Sequence, residues 1–181
     1  MTQGRFIAVV GPSGVGKDSV MAALASRDAR FAVVRRMITR PDEAVGEDHT
    51  SVTEAEFDRI ENAGGFAVSW RAHGLSYGIP SSAQDDIAQG RDVLANLSRG
   101  VLAAAQARFA RFAVLSLTAP VEVLAQRLAG RGRETDDQIA DRLSLSASPL
   151  PKGLPVISVE NAGPLDQTVD EILTRLQPQR A

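Results

Sequence analysis

The sequence contains no cysteine, and it has few lysines, few aromatic residues and no long apolar run. Without cysteine, disulfide bonds and thiolate metal sites are excluded. No apolar segment approaches the roughly 20 residues that a helix needs to cross a bilayer, and the N-terminal residues lack the plan of a signal peptide. We therefore expect a cytoplasmic protein with no membrane partner.

The charge balance argues against a general binder of nucleic acid, because the formal net charge is -2. An apolar fraction of 44% and a charged fraction of 23% are typical of soluble globular proteins, and 181 residues fit a single domain. Of the 20 basic residues only Lys17 and Lys152 are lysines, so a lysine inside a motif carries more weight than usual. The composition leaves both a monomer and a homodimer open.

Apolar segments typical of strands alternate along the chain with segments typical of helices. The run Phe6–Val10 is wholly apolar, as in a parallel strand buried on both faces. Further strands are predicted over residues 31–39, 66–70, 75–79, 92–97, 112–119 and 155–161, and helices over 17–26, 53–63, 81–90 and 135–147 and from Pro164 onward. This order predicts an α/β fold with a parallel five-stranded sheet core flanked by helices, and a hairpin over residues 66–79.

Residues 11–19, GPSGVGKDS, follow the first strand and lead into the first predicted helix. Glycines in this loop allow backbone N–H groups to converge on phosphate oxygens, and the helix adds its positive N-terminal end. Lys17 would reach the β- and γ-phosphates of a nucleotide. The segment therefore predicts an ATP site built from Gly11, Pro12, Ser13, Gly14, Val15, Gly16, Lys17, Asp18 and Ser19.

The residue after Lys17 departs from the usual loop pattern, in which a serine or threonine hydroxyl binds Mg²⁺. Asp18 stands there instead, and its carboxylate is also a hard oxygen ligand for Mg²⁺. A negative charge beside a triphosphate is costly unless a metal ion lies between the two. We therefore predict that Asp18 binds Mg²⁺, directly or through water.

Arginines recur in two regions outside the loop. The first is RRMITRP (35–41), followed by GEDH (46–49) and SYG (76–78), and its arginine forks suit the phosphate oxygens of a second phosphorylated molecule. The second region has the spacing of a mobile lid that closes on the transferring phosphate, with arginines at 127, 131, 133 and 142. Each region alone is also compatible with a solvent-exposed basic surface. Beside a phosphate-binding loop, they predict an acceptor site and a lid.

In this order, the loop and the segments Thr39-Arg40-Pro41, Tyr77-Gly78, Arg127-Leu128, Arg131-Gly132, Arg142-Leu143 and Asn161 resemble the guanylate kinase superfamily over essentially the whole chain. The resemblance implies a P-loop kinase fold in one domain, residues 1–181. Its core would be residues 1–34, 91–130 and 149–181, with an acceptor-binding insertion over about 35–90 and a short lid over about 131–148. It also implies that Arg127 and Asn161 contact the nucleotide, and that Arg131 and Arg142 assist Lys17 in catalysis.

The stretch after Thr39-Arg40-Pro41 is shortened to DEAVGEDH, where guanylate kinases carry P-R-x-G-E, and three further places depart from the guanylate kinase pattern. His49 stands where a tyrosine is expected, Val68 stands at the acidic position that helps to read guanine, and Asn96-Leu97-Ser98 replaces D-x-D. Val68 leaves the N–H donors of a guanine without a partner, so a guanine acceptor is disfavoured.

A narrower resemblance accounts for these departures. The segments GPSGVGKDS, RRMITRP, GEDH, WRAHGLSYGIP, NLSR and RGRE resemble the ribose 1,5-bisphosphate phosphokinases of phosphonate metabolism. That family implies transfer of the γ-phosphoryl group of ATP, with Mg²⁺, to the 1-phosphate of ribose 1,5-bisphosphate, giving 5-phosphoribosyl 1-diphosphate (PRPP). The acceptor would bind beside an apolar wall at Val68 and Trp70, to Arg36, Arg40, His49, Tyr77 and Asn96. A guanylate kinase acting on GMP and a noncatalytic guanylate-kinase-like binding module remain alternatives.

Overall fold

The computed structural model describes residues 3–41, 48–132, 135–145 and 149–177. The strands within these ranges are β1 (Phe6–Val10), β2 (Phe31–Val33), β3 (Arg36–Ile38), β4 (His49–Ser51), β5 (Phe66–Ala72), β6 (Leu75–Pro80), β7 (Asp92–Asn96), β8 (Phe112–Thr118) and β9 (Val156–Glu160). The helices are α1 (Lys17–Arg27), α2 (Glu54–Asn62), α3 (Ala83–Ala88), α4 (Leu102–Arg108), α5 (Val121–Gly130), α6 (Asp136–Leu145) and α7 (Leu165–Arg175). None of the helices in the described ranges combines the length and the apolar character that crossing a membrane requires.

Five strands form a parallel sheet in the order β2-β7-β1-β8-β9, which confirms the predicted core. The central strand β1 is apolar and buried at each of its five positions. Its alternate side chains enter opposite layers: Phe6, Ala8 and Val10 join one apolar cluster, and Ile7 and Val9 join the other. Because the strands are parallel, the loop after β1 lies at the same edge of the sheet as the ends of β7 and β8.

A second sheet has the order β4-β3-β6-β5 and contains the predicted hairpin. The prediction of one strand over residues 31–39 is wrong, because the chain changes sheets within this segment. β2 pairs with β7 of the main sheet, whereas β3 pairs with β4 and β6 of the smaller one. The backbone N–H of Val34 still donates to the carbonyl of Leu94, 2.9 Å away, so the change falls between Val34 and Arg36.

Helix α2 packs on the small sheet through an aromatic contact between Phe57 and Phe66, whose ring centroids lie 4.6 Å apart. It begins at the predicted capping box, in which Thr53 Oγ1 accepts from the backbone N–H of Glu56 and the Glu56 carboxylate accepts from that of Thr53. The Phe66 ring also covers Gly78, where a Cβ atom would lie 2.4 Å from it. The small sheet therefore has one face braced by α2.

The predicted lid, over about 131–148, contains α6, which contacts α5 at the end of the predicted core segment 91–130. Helix α6 is described as far as Leu145, so its predicted end at residue 147 lies outside the described residues. Residues 146–148, together with Arg133 of the RGRE segment, lie outside the described residues.

Candidate active site

The predicted phosphate-binding loop connects β1 to α1 and depends on three glycines. Gly14 and Gly16 have φ angles of 83° and 93°, in the left-handed region that other residues adopt only with strain. A Cβ atom on Gly11 would lie 2.7 Å from the carbonyl oxygen of Leu117 in β8. The loop can therefore lie this close to the main sheet only with glycine at that position.

Three amide groups of the loop have no backbone acceptor among the described residues, which leaves them able to bind an anion. Between Ser13 and Gly16, only the backbone N–H of Val15 has a backbone acceptor among the described residues. It donates to the carbonyl of Pro12, 3.2 Å away. The segment continues directly into α1, which begins at Lys17. The N–H groups of the first helical turn and the positive end of the helix dipole both favour an anion at this place. This is the arrangement that binds phosphate in nucleotide-binding proteins.

Lys17 is the first residue of α1, and its side chain turns back over the loop. Its Nζ donates to the carbonyl oxygens of Gly11 at 3.0 Å and Pro12 at 3.4 Å. These bonds hold the ammonium group beside the loop amides, where the phosphates of a nucleotide would lie. The structure thus places Lys17 with the other residues of the predicted ATP site.

Asn161, which follows β9, supports the loop from the protein side. Its Nδ2 donates to the carbonyl of Val15 at 2.7 Å, and its Oδ1 accepts from Thr168 Oγ1 at 2.7 Å. Its backbone N–H also donates to the carbonyl of Thr118 at 2.7 Å. Both side-chain groups of Asn161 are therefore used within the protein, and its contact with the nucleotide stays a prediction.

Thr168 is a contributor to the site that the sequence reasoning missed. It lies in α7 and is 4% exposed, and its hydroxyl fixes the orientation of the Asn161 amide. The available signal was a hydroxyl on the buried face of an amphipathic helix, where an apolar residue is expected. Such a residue usually has a hydrogen-bond partner.

Arg127 of α5 contacts the same part of the loop. Its guanidinium donates to the carbonyl oxygens of Asn161 at 2.8 Å, Val15 at 3.3 Å and Gly14 at 3.4 Å. Arg127 is half-buried, and its hydrogen bonds join α5, which leads into the predicted lid, to the loop. The prediction that Arg127 contacts the nucleotide itself is untested by these bonds.

A cavity of about 190 Å³ lies beside α1, between the two sheets. It brings together two predicted acceptor residues, Arg36 and Asn96, with the predicted metal ligand Asp18. The rest of the lining is mostly apolar, with one charged pair at the rim: Met21, Ala22, Val33, Val34, Arg35 and Asp48. Arg35 Nε donates to Asp48 Oδ2 at 2.9 Å, and this hydrogen bond raises the pKa of the Arg35 guanidinium.

Asn96 has a polar atom without a partner. The residue is 7% exposed at the end of β7, and its Nδ2 is the one buried side-chain nitrogen or oxygen among the described residues that lacks a hydrogen bond. An unpaired buried amide destabilises the fold by roughly 1–3 kcal/mol. An acceptor oxygen entering the cavity would offset that cost.

The other predicted acceptor residues lie on the small sheet or next to it. Tyr77 is buried in β6, with Arg36 over its ring at 5.4 Å. His49 begins β4 and its Nε2 lies 3.2 Å from Ser51 Oγ, whereas Arg40 follows β3, half-buried. Gly46 and Glu47 of the GEDH segment lie outside the described residues.

The two predicted catalytic arginines lie in the lid region. Arg131 is exposed and follows the last residue of α5. Arg142 belongs to α6, and its side chain lies outside what the structure describes. Of the predicted catalytic residues, the structure therefore brings Lys17 to the loop and leaves the arrangement of Arg131 and Arg142 over it a prediction.

Metal-ligating groups are sparse in the described structure. The His, Asp and Glu side chains in the described ranges form no group of three that could hold a metal ion by themselves. The single carboxylate of Asp18 beside the loop suits an ion that arrives with the nucleotide and keeps several of its waters, as Mg²⁺ does.

Comparison with solved structures gives the fold. Guanylate kinase from Anaplasma phagocytophilum aligns with 99% of this chain and 89% of its own, with a TM-score of 0.65 and 17% sequence identity. A gluconokinase from Sinorhizobium meliloti 1021 aligns with 96% of this chain and 91% of its own, with a TM-score of 0.53 and 20% identity. Both likenesses concern the fold.

Sequence comparison gives nearer relatives. A ribose 1,5-bisphosphate phosphokinase PhnN from Ruegeria sp. (strain TM1040) is 49% identical over 99% of this chain and 95% of its own, and one from Pseudomonas paraeruginosa PA7 is 48% identical over 98% of each. A bifunctional ribose 1,5-bisphosphokinase-thymidine phosphorylase from Cupriavidus necator is 49% identical over 90% of this chain, which spans 27% of that longer protein. The family model described as guanylate kinase matches residues 3–177. The chain belongs to the guanylate kinase family.

Proposed function

We propose that the protein is a kinase that phosphorylates ribose 1,5-bisphosphate to 5-phosphoribosyl 1-diphosphate (PRPP), using ATP, in phosphonate degradation. The observation that carries the proposal is the cavity beside the phosphate-binding loop. It offers the buried cation of Arg36 and the unpaired amide of Asn96, and its other lining residues are four apolar side chains and the charged Asp18, Arg35 and Asp48. The names of the two relatives that match over nearly their whole length support the same acceptor.

The reaction joins two phosphates. A non-bridging oxygen of the acceptor 1-phosphate attacks the γ-phosphorus of ATP, and the bond from that phosphorus to the β,γ-bridging oxygen breaks, so ADP leaves with the electron pair. The second pKa of a phosphate ester is about 6, so the acceptor is mostly a dianion at pH 7 and needs no general base. Catalysis then depends on positioning and charge neutralisation.

The residues of the site divide these tasks. The loop amides and Lys17 hold the β- and γ-phosphates, and Asn161 and Arg127 hold the loop in shape. Arg36 and Asn96 bind the acceptor from the cavity, and Arg40 approaches from the end of β3. Arg131 and Arg142 would close over the transferring group from the lid.

Asp18 is suited to Mg²⁺ because its carboxylate borders the same cavity as the acceptor residues. Bound there with ATP, Mg²⁺ would neutralise charge on the β- and γ-phosphates. Without a cation, Asp18 would repel both phosphorylated substrates.

The alternative acceptor GMP fits this site poorly. Val68, which stands where guanylate kinases have an acidic residue that helps to read guanine, and its register partner Ile79 are 8% and 0% exposed and have no hydrogen-bonding side chain. The N–H groups of a guanine edge placed there would lose their water without gaining a partner, which disfavours the base strongly.

A coupled assay of ADP release tests the proposal, with ribose 1,5-bisphosphate, GMP and ribose 5-phosphate as separate acceptors in the presence of ATP and Mg²⁺. We expect turnover with the bisphosphate to exceed that with either monophosphate by at least about 100-fold, the scale of two charged hydrogen bonds. Faster turnover with GMP would replace the proposal with a guanylate kinase. A protein that binds no ATP would be a noncatalytic module.

A further inference from the structure

Three flat side chains stand next to one another on the small sheet. Tyr77 of β6 is the register partner of Trp70 in β5 and of Ile38 in β3. Because side chains alternate along a strand, Arg36 lies on the same face as Ile38, and therefore on the same face as Tyr77 and Trp70. We call this set of three side chains the ladder. It consists of Trp70, Tyr77 and Arg36, in that order across the three strands.

The contacts within the ladder are direct. The rings of Trp70 and Tyr77 are stacked, with centroids 5.3 Å apart and planes 7° from parallel. The Arg36 guanidinium carbon lies over the Tyr77 ring, 5.4 Å from its centroid. Tyr77 and Arg36 are each 6% exposed, so the cation is held against the ring in a largely water-free place.

The ladder is tied at its other end to the main sheet. The indole Nε1–H of Trp70 donates to Ser98 Oγ at 3.2 Å. Ser98 lies two residues after Asn96, the residue with the unpaired amide in the cavity. The hydrogen bond therefore fixes the spacing between the strand that ends at Asn96 and the sheet that presents Arg36.

The placement of Arg36 depends on the ladder. Arginine has several rotatable bonds, and holding it in one rotamer has an entropic cost that packing must offset. The Tyr77 ring restricts one face of the guanidinium, and Trp70 restricts Tyr77 in turn. The guanidinium is thereby presented to the cavity beside Asn96 before an acceptor arrives.

We propose that Trp70 is a positioning residue for the phosphorylated acceptor: it acts through Tyr77 to hold Arg36, and through Ser98 to hold the distance between Arg36 and Asn96. The inference rests on the proposed function, because it takes the acceptor to be the anion that binds Arg36. It assigns roles to Trp70 and Ser98 in binding of a sugar bisphosphate, and none in binding of ATP.

The composition of the chain provides a direct probe. Trp70 is the only tryptophan in the sequence and Tyr77 the only tyrosine. Tryptophan emission therefore reports on the ladder without any engineered label. We expect titration with ribose 1,5-bisphosphate to change the Trp70 emission to saturation, and titration with ATP and Mg²⁺ to leave it nearly unchanged.

Substitutions of Trp70 and Ser98 distinguish a role in positioning Arg36 from a role in stability alone. Trp70→Phe and Ser98→Ala remove the same hydrogen bond, so each should raise the KM for the bisphosphate about 3- to 10-fold, and the double variant should show no further increase. Trp70→Leu also removes the stacking and should raise that KM further, by at least about 10-fold. The KM for ATP should stay within about twofold throughout, because the side-chain hydrogen bond that the structure describes for Trp70 and Ser98 joins them to each other and not to the loop.

Ser69→Ala provides the matched control. Ser69 neighbours Trp70 in β5, but its hydroxyl donates to Glu61. The substitution therefore removes a serine hydrogen bond from the same strand without changing the ladder. Its KM for the bisphosphate should equal that of the wild type. A KM for Ser98→Ala and Trp70→Phe that matches the Ser69→Ala control would overturn the inference, even if Trp70→Leu fails to fold.

The outcomes also separate this inference from the proposed function. Turnover of the bisphosphate without any change in Trp70 emission would overturn the ladder and leave the function standing. Emission that responds to the bisphosphate without turnover would support the ladder as an anion-binding device and overturn the function. The absence of both would overturn both.

Discussion

At the scale of single residues, Lys17 shows how the site is prepared for phosphate. Its ammonium group donates to two carbonyl oxygens of the loop, at Gly11 and Pro12. These neutral acceptors hold the charge near the place where phosphate oxygens bind, and they are weaker partners than anions. A nucleotide can therefore attract the ammonium group without a large movement of the lysine.

The two lysines of the chain make a matched pair for mutation. We expect Lys17→Ala to lower kcat by at least about 100-fold, because one electrostatic contact to the transition state is lost. Lys152 is exposed between α6 and β9, so Lys152→Ala should leave kcat within about twofold. Steady-state assays of the two variants check this, and equal losses would contradict the role given to Lys17.

At the scale of elements, two helices act as braces behind the two halves of the site. Helix α7 reaches the phosphate-binding loop through Thr168 and Asn161. Helix α2 holds the outer face of the small sheet, where Glu61 accepts from Ser69 and Arg71. Neither helix contributes a predicted ligand of either substrate, yet each fixes strands or loops that do.

Because α7 supports the phosphate-binding loop through Thr168, we expect substitutions of Thr168 to change the KM for ATP selectively. Thr168→Val keeps the shape of the side chain but leaves Asn161 Oδ1 without its donor, so we expect the KM for ATP to rise by about 5- to 30-fold. Thr168→Ser retains the hydroxyl and should restore most of the affinity. If Thr168→Val lowers the melting temperature but leaves the KM for ATP unchanged, Thr168 contributes to stability and not to ATP binding.

The brace from α2 predicts a pH dependence of stability. Hydrogen bonds from Arg71, and next from Ser69, lower the pKa of Glu61 from 4.5 to about 2. Since the folded pKa lies below the ordinary one, the stabilisation is present above pH 4.5 and is lost as the pH falls towards 2. The pair is partly exposed, so salt should weaken the effect.

Urea denaturation checks this prediction. Glu61→Gln should lower stability at pH 7, and its deficit relative to the wild type should shrink as the pH falls below 4.5. Glu54→Gln, an exposed substitution in the first turn of the same helix, provides the comparison. A deficit of Glu61→Gln that is constant down to acidic pH would show that the carboxylate charge is not the cause.

At the scale of the whole molecule, the predicted nucleotide site lies on the main sheet, and the cavity of the predicted acceptor site is lined by Asn96 of the main sheet and Arg36 of the small sheet. The loop after β1 could be predicted because a buried apolar strand, three glycines and a lysine occur within a few residues. The change of sheet between β2 and β3 could not, because residues 31–34 and 36–38 have similar strand propensity and hydrogen-bond partners far away in sequence. The apolar alternation specifies strands but not the sheet to which each belongs.

The candidate site was predictable to a similar extent. Asp18, Arg36 and Asn96 come from distant parts of the chain, and motifs singled them out before the structure placed them on one cavity. Thr168 belongs to no motif, and the NLSR segment that contains Ser98 assigns that serine no role, because each hydroxyl acts through a neighbouring side chain. Such supporting residues become visible only when hydrogen-bond partners are known.

The most direct test of the central claim is ³¹P NMR of the reaction with ATP, Mg²⁺ and ribose 1,5-bisphosphate. The account predicts that the 1-phosphate resonance is replaced by two mutually coupled resonances of a diphosphate, while the 5-phosphate resonance persists and ADP accumulates in equal amount. Phosphoryl transfer to GMP, with ribose 1,5-bisphosphate left unchanged under the same conditions, would contradict it.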